Sequence, residues 1–432
     1  MKSLLSILAL FSIVYASAQS GPASYGRELP RGELIGYASA AEATEGAWTD
    51  SRYLKPLTRW ERQDNRFTTS FTVPFDWANR SVLLCVASAT ADYEVRLNGK
   101  TVAYNADPSL PAEFDLTRSV REGLNTLEIA LNDPSPVAAL ESWEHDAPAV
   151  LGRTHVMSQP MMRIRDVFVR TQLNGQEASA EIGIVVKTGA LNPKTSRIHY
   201  ELLTPSNEVA AVGHQDVTLD MRREDTVRFI ASVPRHLLWE PETPTRYTLR
   251  LKTQYEGRYL EYIELHPGFC AVALNDGQPT INGRPAQLKK RDVVPWLTGN
   301  DMAALKELGY NTLRPQADLV PDSFYALCDE MGFFAIAQAP IDTRKSGESR
   351  RKGANPTNDP AWLPAFIERT QDSYHTAKRH PSVIAFSLAE ESSNGINLYE
   401  SYLNLKRMEH DRPIVYPDAA GEWNTDRFEY EP

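Results

Sequence analysis

The sequence predicts a multidomain β plus α/β protein: two β-sandwiches in succession, then a segment of parallel strands and helices. Three observations carry this. Between about 45 and 270 the chain is a series of short period-two or apolar runs broken by turn residues. From about 280 the period changes to strand–helix alternation with short connections, which makes parallel βαβ units. At 432 residues the chain is too long for one ordinary core.

The N-terminus reads as a secretory signal over residues 1–18: Lys2 is the positive end, Leu4 to Val14 the apolar run, and Ala16-Ser17-Ala18 the cleavage site. Export to the periplasm or the extracellular space is expected, with cleavage near Gln19. The apolar run is too short to span a bilayer, and no membrane span is expected elsewhere. A net charge of −10 argues against nucleic acid as a partner. Cys85, Cys270 and Cys328 read as small buried hydrophobes, and no spacing suggests a metal site. No P-loop, dinucleotide fingerprint or Ser-His-Asp order is present, so no cofactor is expected.

The first sandwich is placed at about 45–165. "RFTTSFTVP", "RSVLLCVAS", "DYEVRLNGKTVAY" and "NTLEIALND" are its strands, and Asn98-Gly99 is a two-residue hairpin signal. Many short strands with few helical periods imply a sandwich or jelly roll. The second, at about 166–270, has "RIRDVFVRTQL", "ASAEIGIVVKT", "SRIHYELLT", "DTVRFIASV" and "RYTLRLKTQY", which suit an immunoglobulin-like sandwich. In the α/β segment, about 280–432, "NTLRP", "FFAIAQA", "SVIAFSLAEE" and "PIVYPD" are strands. Helices lie at "LTGNDMAALKELGY", "VPDSFYALCDEMGF", "DPAWLPAFIERTQDSYHTAKRH" and "INLYESYLNLKRMEH". Acidic residues at the C-terminal end of a buried parallel strand, here Glu390 and Glu391, sit where such folds place their chemistry.

The ordered words resemble glycoside hydrolase family 2, the β-galactosidases, β-glucuronidases and β-mannosidases. "VRLNGKTVA" with "FDLTRSVREGLNTLEIAL" is similar to that family's sugar-binding jelly roll, and "LWEPETPTRYTLRL" to its immunoglobulin-like domain. "GFCAVALNDGQPTINGRP" is similar to the lead-in to its barrel, and "RHPSVIAFSLAEES" to the strand carrying its acid/base. The resemblance runs from about 45 to 425. It implies a (β/α)8 TIM-type barrel in the third segment and retaining hydrolysis of a β-linked glycoside, with a carbohydrate as ligand or substrate.

The family run Ser-Leu-Gly-Asn-Glu-Ser stands here as Ser387-Leu388-Ala389-Glu390-Glu391-Ser392. By resemblance Glu391 takes the general acid/base position, and Glu390 replaces the Asn that helps hold the sugar. A retaining glycosidase needs two carboxyl groups about 5 Å apart. Successive strand side chains point to opposite faces, so Glu390 is not the second. In the family the nucleophile comes from a later barrel strand.

Other positions depart from the family. "LKKRDVVP" stands where it has Arg-Gly-Val-Asn and then His. Pro315-Gln316-Ala317-Asp318 replaces Ser-His-Tyr-Pro, and Ala337-Gln338-Ala339-Pro340 replaces Asp-Glu-Ala-Asn. Only Arg314 matches at the second strand end. A full barrel takes about 250 residues, whereas about 283 to 432 holds roughly 150 and five strands. A partial barrel is therefore expected, with exposed edges and apolar faces needing another copy, a partner or a missing half.

Glu391 is thus an acid/base or a polar cap of its strand, and Glu390 a sugar contact or an ion-pair partner. Arg314 binds a ligand or pairs with a carboxylate. Asp342 and Asp418 follow strands and complete a polar site or hold loops. Among the tryptophans Trp143, Trp239 and Trp296, the last, just after the first barrel strand, is the best stacking platform for a sugar ring. Two functions follow: a family 2 glycosidase, inactive as the isolated chain for want of a nucleophile, or a non-catalytic carbohydrate-binding or assembly protein derived from that family.

Overall fold

The computed structural model of the protein describes residues 22–29, 31–143, 149–316 and 320–429. The signal segment, Ala317 and Asp318 lie outside the described residues. The first sandwich stacks two antiparallel five-stranded sheets. One orders Glu61–Gln63, Arg66–Val73, Gly123–Leu131, Tyr93–Leu97 and Lys100–Asn105. The other orders Arg27–Glu28, Ala112–Asp115, Arg80–Val86, Thr154–Pro160 and Leu54–Pro56. Their alternate residues meet in a core of Leu84, Tyr93, Val95, Phe114, Leu127 and Ile129. Leu97 pairs with Lys100 across Asn98 and Gly99, both at positive φ, 50° and 79°. This is the mirror-image turn that suits strand twist.

The second sandwich sets three strands, Met162–Asn174, Glu177–Thr188 and Glu224–Pro234, against four. Two of the four, Val209–Leu219 and Arg258–Leu265, are edge strands that the sequence patterns do not single out. Val209–Leu219 buries only Val217 and Leu219, so its apolar alternation is weak. A further segment with no predicted role, residues 22–29 and 31–45, straps the molecule. Tyr25 pairs with Tyr104 of the first sandwich and Tyr37 with Tyr262 of the second.

Five parallel strands form the third segment in chain order: β1 (Lys290–Val293), β2 (Thr312–Pro315), β3 (Phe334–Gln338), β4 (Val383–Ser387) and β5 (Ile414–Val415). Between them run helices α1 (Gly299–Glu307), α2 (Asp322–Met331), α3 (Leu363–Ala377) and α4 (Ile396–Lys406). Thr298 and Asp301 form a capping box on α1. Gly332 ends α2 at φ 69°, and a Cβ there would lie 2.0 Å from the Pro241 carbonyl oxygen, so only glycine fits. The helices cover one face of the sheet through Leu313, Phe324, Ala335, Phe366, Val383 and Phe386. Among the described residues the sheet does not close, and β1 and β5 are its edges.

The bare inner face expected of a partial barrel is largely covered by this chain's own residues. Trp239, Val272, Ile281 and Leu288 pack against Phe334 and Ile384 at the lower end. Phe428 packs on Ile336, Ala385 and Val415. The segment after β5 also meets that edge: Asp426 N–H donates to the Ile414 carbonyl at 2.8 Å, and the Asp426 carboxylate accepts from Ile414 N–H at 2.8 Å. The β1 edge instead carries Lys290, Arg291 and Asp292, charges that discourage strand addition.

Candidate active site

The C-terminal ends of the five strands gather the charged residues that the sequence singles out. β4 stops at Ser387, and the next turns steer the two glutamates apart. Glu390 N–H donates to the Ile341 carbonyl at 2.8 Å, and its carboxylate lies 4.0 Å from the Arg314 guanidinium. Arg314 itself donates to Asp292 at 2.8 Å, which also takes Lys290 at 2.8 Å. Partial burial would raise the Asp292 carboxyl, but these two cations outweigh it and hold it below its ordinary value. Arg314 and Glu390 are thus joined through ion pairs from β1 to the end of β4.

Glu391 turns outward, with 65% of its side chain exposed, and accepts from Arg344 at 3.0 Å. The same guanidinium reaches Asp342 at 3.1 Å. Asp342 is 1% exposed and also accepts from Arg344 N–H at 3.1 Å. Burial pushes its carboxyl up. Arg344 pulls it down, and the charges of Glu390 and Glu391 push it up again, leaving it above its ordinary value. Two carboxylates therefore share one arginine, which gave no signal in the sequence because it sits in a polar loop, "IDTRKSGE". Asp342 is fixed from its backbone too: its N–H donates to Leu140 and its carbonyl accepts from Ser142, both on the first sandwich's last loop.

The loop after Glu391 is held in place by Ser392. Its N–H donates to Asp418 at 3.3 Å, its hydroxyl accepts from Thr343 N–H at 2.9 Å, and its carbonyl accepts from the Tyr416 hydroxyl. Asp418 is thereby turned to backbone. Trp296 follows β1 with 64% exposure. A second exposed indole was missed: Trp423, 58% exposed, stacks on Tyr399 at 5.1 Å. Its signal was a lone Trp among Gly, Glu and Asn after the last strand. Trp239, by contrast, is fully buried and donates to the Asp329 carbonyl at 3.0 Å.

Comparison with known proteins places this arrangement. Residues 286–429 match the family description "Glycosyl hydrolases family 2, TIM barrel domain", and residues 162–269 match "Glycosyl hydrolases family 2". The chain belongs to glycoside hydrolase family 2. A β-galactosidase of Photobacterium profundum is 29% identical over 339 residues, 74% of this chain and 32% of that protein. One from Priestia megaterium is 25% identical over 394 residues, 85% of this chain and 38% of that protein. The chain thus spans about a third of the length of the curated relatives it matches. The fold is that of a Bacteroides uniformis β-glucuronidase, with TM-score 0.70 at 17% identity over 81% of this chain and 46% of that one. A Dictyoglomus thermophilum β-D-glucuronidase matches with TM-score 0.64 at 20% identity, over 81% of this chain and 64% of that one. The family's barrel domain and its β-sandwiches are both represented, the barrel as an unclosed sheet among the described residues.

Proposed function

We propose that this chain carries the proton-donor side of a family 2 β-glycosidase site, with Glu391 in the donor position, and that by itself it does not hydrolyse β-glycosides. The observation that carries this reading is the Arg344 bridge between Asp342 and Glu391. Double displacement needs one carboxyl to protonate the leaving oxygen and a second to attack the anomeric carbon, about 5 Å apart. The carboxylate nearest in the network to Glu391 is buried and tied to the same guanidinium, so a glycosidic oxygen would have to displace Arg344 to reach either. Asp292 and Asp418 are engaged by Arg314 with Lys290 and by Ser392. Proton donation without attack contributes only about 10²–10⁴-fold, against the roughly 10⁶–10¹⁷ of enzymes. Hydrolysis of aryl β-galactosides and β-glucuronides by the purified chain should equal that of Glu391→Gln. Turnover abolished by Glu391→Gln would overturn the proposal.

A second reading, carbohydrate binding without turnover, is favoured by the exposed indoles Trp296 and Trp423 beyond β1 and β5. In that case Trp296→Ala or Trp423→Ala weakens binding of a glycan on a calorimeter while Glu391→Gln does not. The sequence also supports export of the protein after cleavage near Gln19. Intact-mass measurement of the secreted protein should lack residues 1–18, and a retained Met1 would exclude it.

A further inference from the structure

A cleft of about 770 Å³ opens where the Thr154–Pro160 strand of the first sandwich hands over to the Met162–Asn174 strand of the second. It lies outside the parallel-strand segment, and its volume falls within the range of about 300–1,000 Å³ usual for ligand sites. Its lining is unlike the rest of this acidic protein, whose net charge is −10. Arg52, Arg80, Lys194 and Arg258 face it, with Asp76 as the one carboxylate among the lining residues. Arg80 is structural. It donates to the Ser158 hydroxyl at 2.9 Å and to the Ser158 carbonyl at 3.2 Å, stacks 3.9 Å above the Tyr53 ring, and has the buried Glu261 behind it.

The other three cations are differently placed. Lys194 donates to the Tyr255 hydroxyl at 3.1 Å, and Arg52 to the Tyr53 hydroxyl at 3.2 Å. Phenols are neutral partners and leave the charge uncompensated. Arg258 is exposed at the start of its strand, paired with Tyr255 across the Glu256-Gly257 turn. Among the described residues none of the three forms an ion pair with a carboxylate; Asp76 and Glu256 are their nearer negative charges. The Ser196 hydroxyl, also in the lining, is buried and has no hydrogen-bond partner. Tyr255 and the half-exposed Tyr259 add aromatic surface of the kind that pyranose C–H faces cover.

We infer that this inter-sandwich cleft is a binding site for an acidic saccharide, a pyranose bearing a carboxylate. Arg52, Lys194 and Arg258 meet the charge, and Tyr255 and Tyr259 meet the ring. Carboxylate recognition by cations lacking counter-ions adds charge-assisted hydrogen bonds, and the aromatic walls select a ring over a bare anion. The site does not depend on the strand-end carboxylates, so its occupancy is read separately from any hydrolysis.

The test is calorimetry on the full chain with a galacturonate trisaccharide, its methyl-esterified form and sodium sulfate, at low and at 0.5 M salt. The acid form should bind, weaken with salt, and exceed the ester by at least about 10-fold. Lys194→Gln with Arg258→Gln, both exposed and outside the core, should weaken it about 5-fold or more, given the usual range for exposed charge pairs. Tyr259→Ala should weaken the saccharide without changing sulfate. Equal affinity for acid and ester, equal affinity for sulfate, an unaffected Gln/Gln variant that melts as the wild type does, or no binding at millimolar saccharide would each overturn the inference.

Discussion

His380 offers the sharpest perturbation of the platform beneath the site. It lies at the base of β4, its ring nitrogens 2.6 Å from Asp329 and 3.3 Å from Asp322. Asp329 also accepts from Ser382 N–H at 3.1 Å, so the pair ties α2 to the strand that leads to Glu391. Burial lowers the imidazolium's proton affinity, but the two carboxylates outweigh burial and raise its pKa to about 9 from an ordinary 6.5. At about 1.4 kcal/mol per pH unit this is about 3 kcal/mol of stabilisation. A pKa raised by folding gives stability that is complete below about 6.5 and disappears as pH climbs through 9. His380→Gln should therefore cost about 3 kcal/mol at pH 6, or about 6–12 °C in the melting of the α/β segment. The gap to the wild type should narrow steadily between pH 6.5 and 9.5. Scanning calorimetry across that range measures it. Wild-type and variant curves that run parallel from pH 6 to 10 would refute the argument, because the ring would then be neutral in the fold or equally charged in the unfolded chain.

Arg369 is buried on α3, donating to Glu141, to Pro340 at 2.6 Å and to Ala106 at 3.1 Å, and so fastens the first sandwich to the barrel segment. Arg369→Met should cost about 3–5 kcal/mol by stranding a buried carboxylate. Burial already raises Glu141 to about 7 despite Arg369, and the variant raises it further. Below about pH 7 both folds keep a proton that the unfolded chain releases, so the penalty of the variant should stay level there and grow only as pH rises above about 7 in urea titrations. The thiols of Cys85, Cys270 and Cys328 are unpaired, and burial pushes all three up, Cys270 to about 12. Cys85 and Cys328 are buried and Cys270 half-buried, so a disulfide-exchange dye should register neither Cys85 nor Cys328 in native buffer and 3 thiols in guanidinium; rapid native labelling of Cys85 or Cys328 would contradict their burial.

Much of the architecture was legible because its period changes near 280 and because turn residues are explicit. Asn98-Gly99 forces its hairpin, and Gly332 its helix end. The Val209–Leu219 strand was not legible, since an edge strand with most side chains in water needs no alternation. Nor was the strap at residues 22–29 and 31–45, whose short pairings depend on surfaces far away in sequence. At the strand ends, the residue types were readable and their partners were not. Arg314 and Glu390 appeared as candidate ligand contacts, but their geometry is set by Asp292, which lies 22 residues from Arg314. Arg344 was invisible for the same reason: nothing local marks a loop arginine that will bridge Asp342 and Glu391.

The central claim is that, among the described residues, no carboxylate at the strand ends is placed to attack an anomeric carbon opposite Glu391. A 2-deoxy-2-fluoroglycosyl fluoride traps the covalent intermediate of a retaining site, so intact-mass spectrometry after incubation with its β-galactosyl and β-glucuronyl forms reads the claim directly. The unmodified mass is predicted with both reagents. A stoichiometric glycosyl adduct mapped by peptide sequencing to Asp342, Asp418 or any other strand-end carboxylate would contradict it.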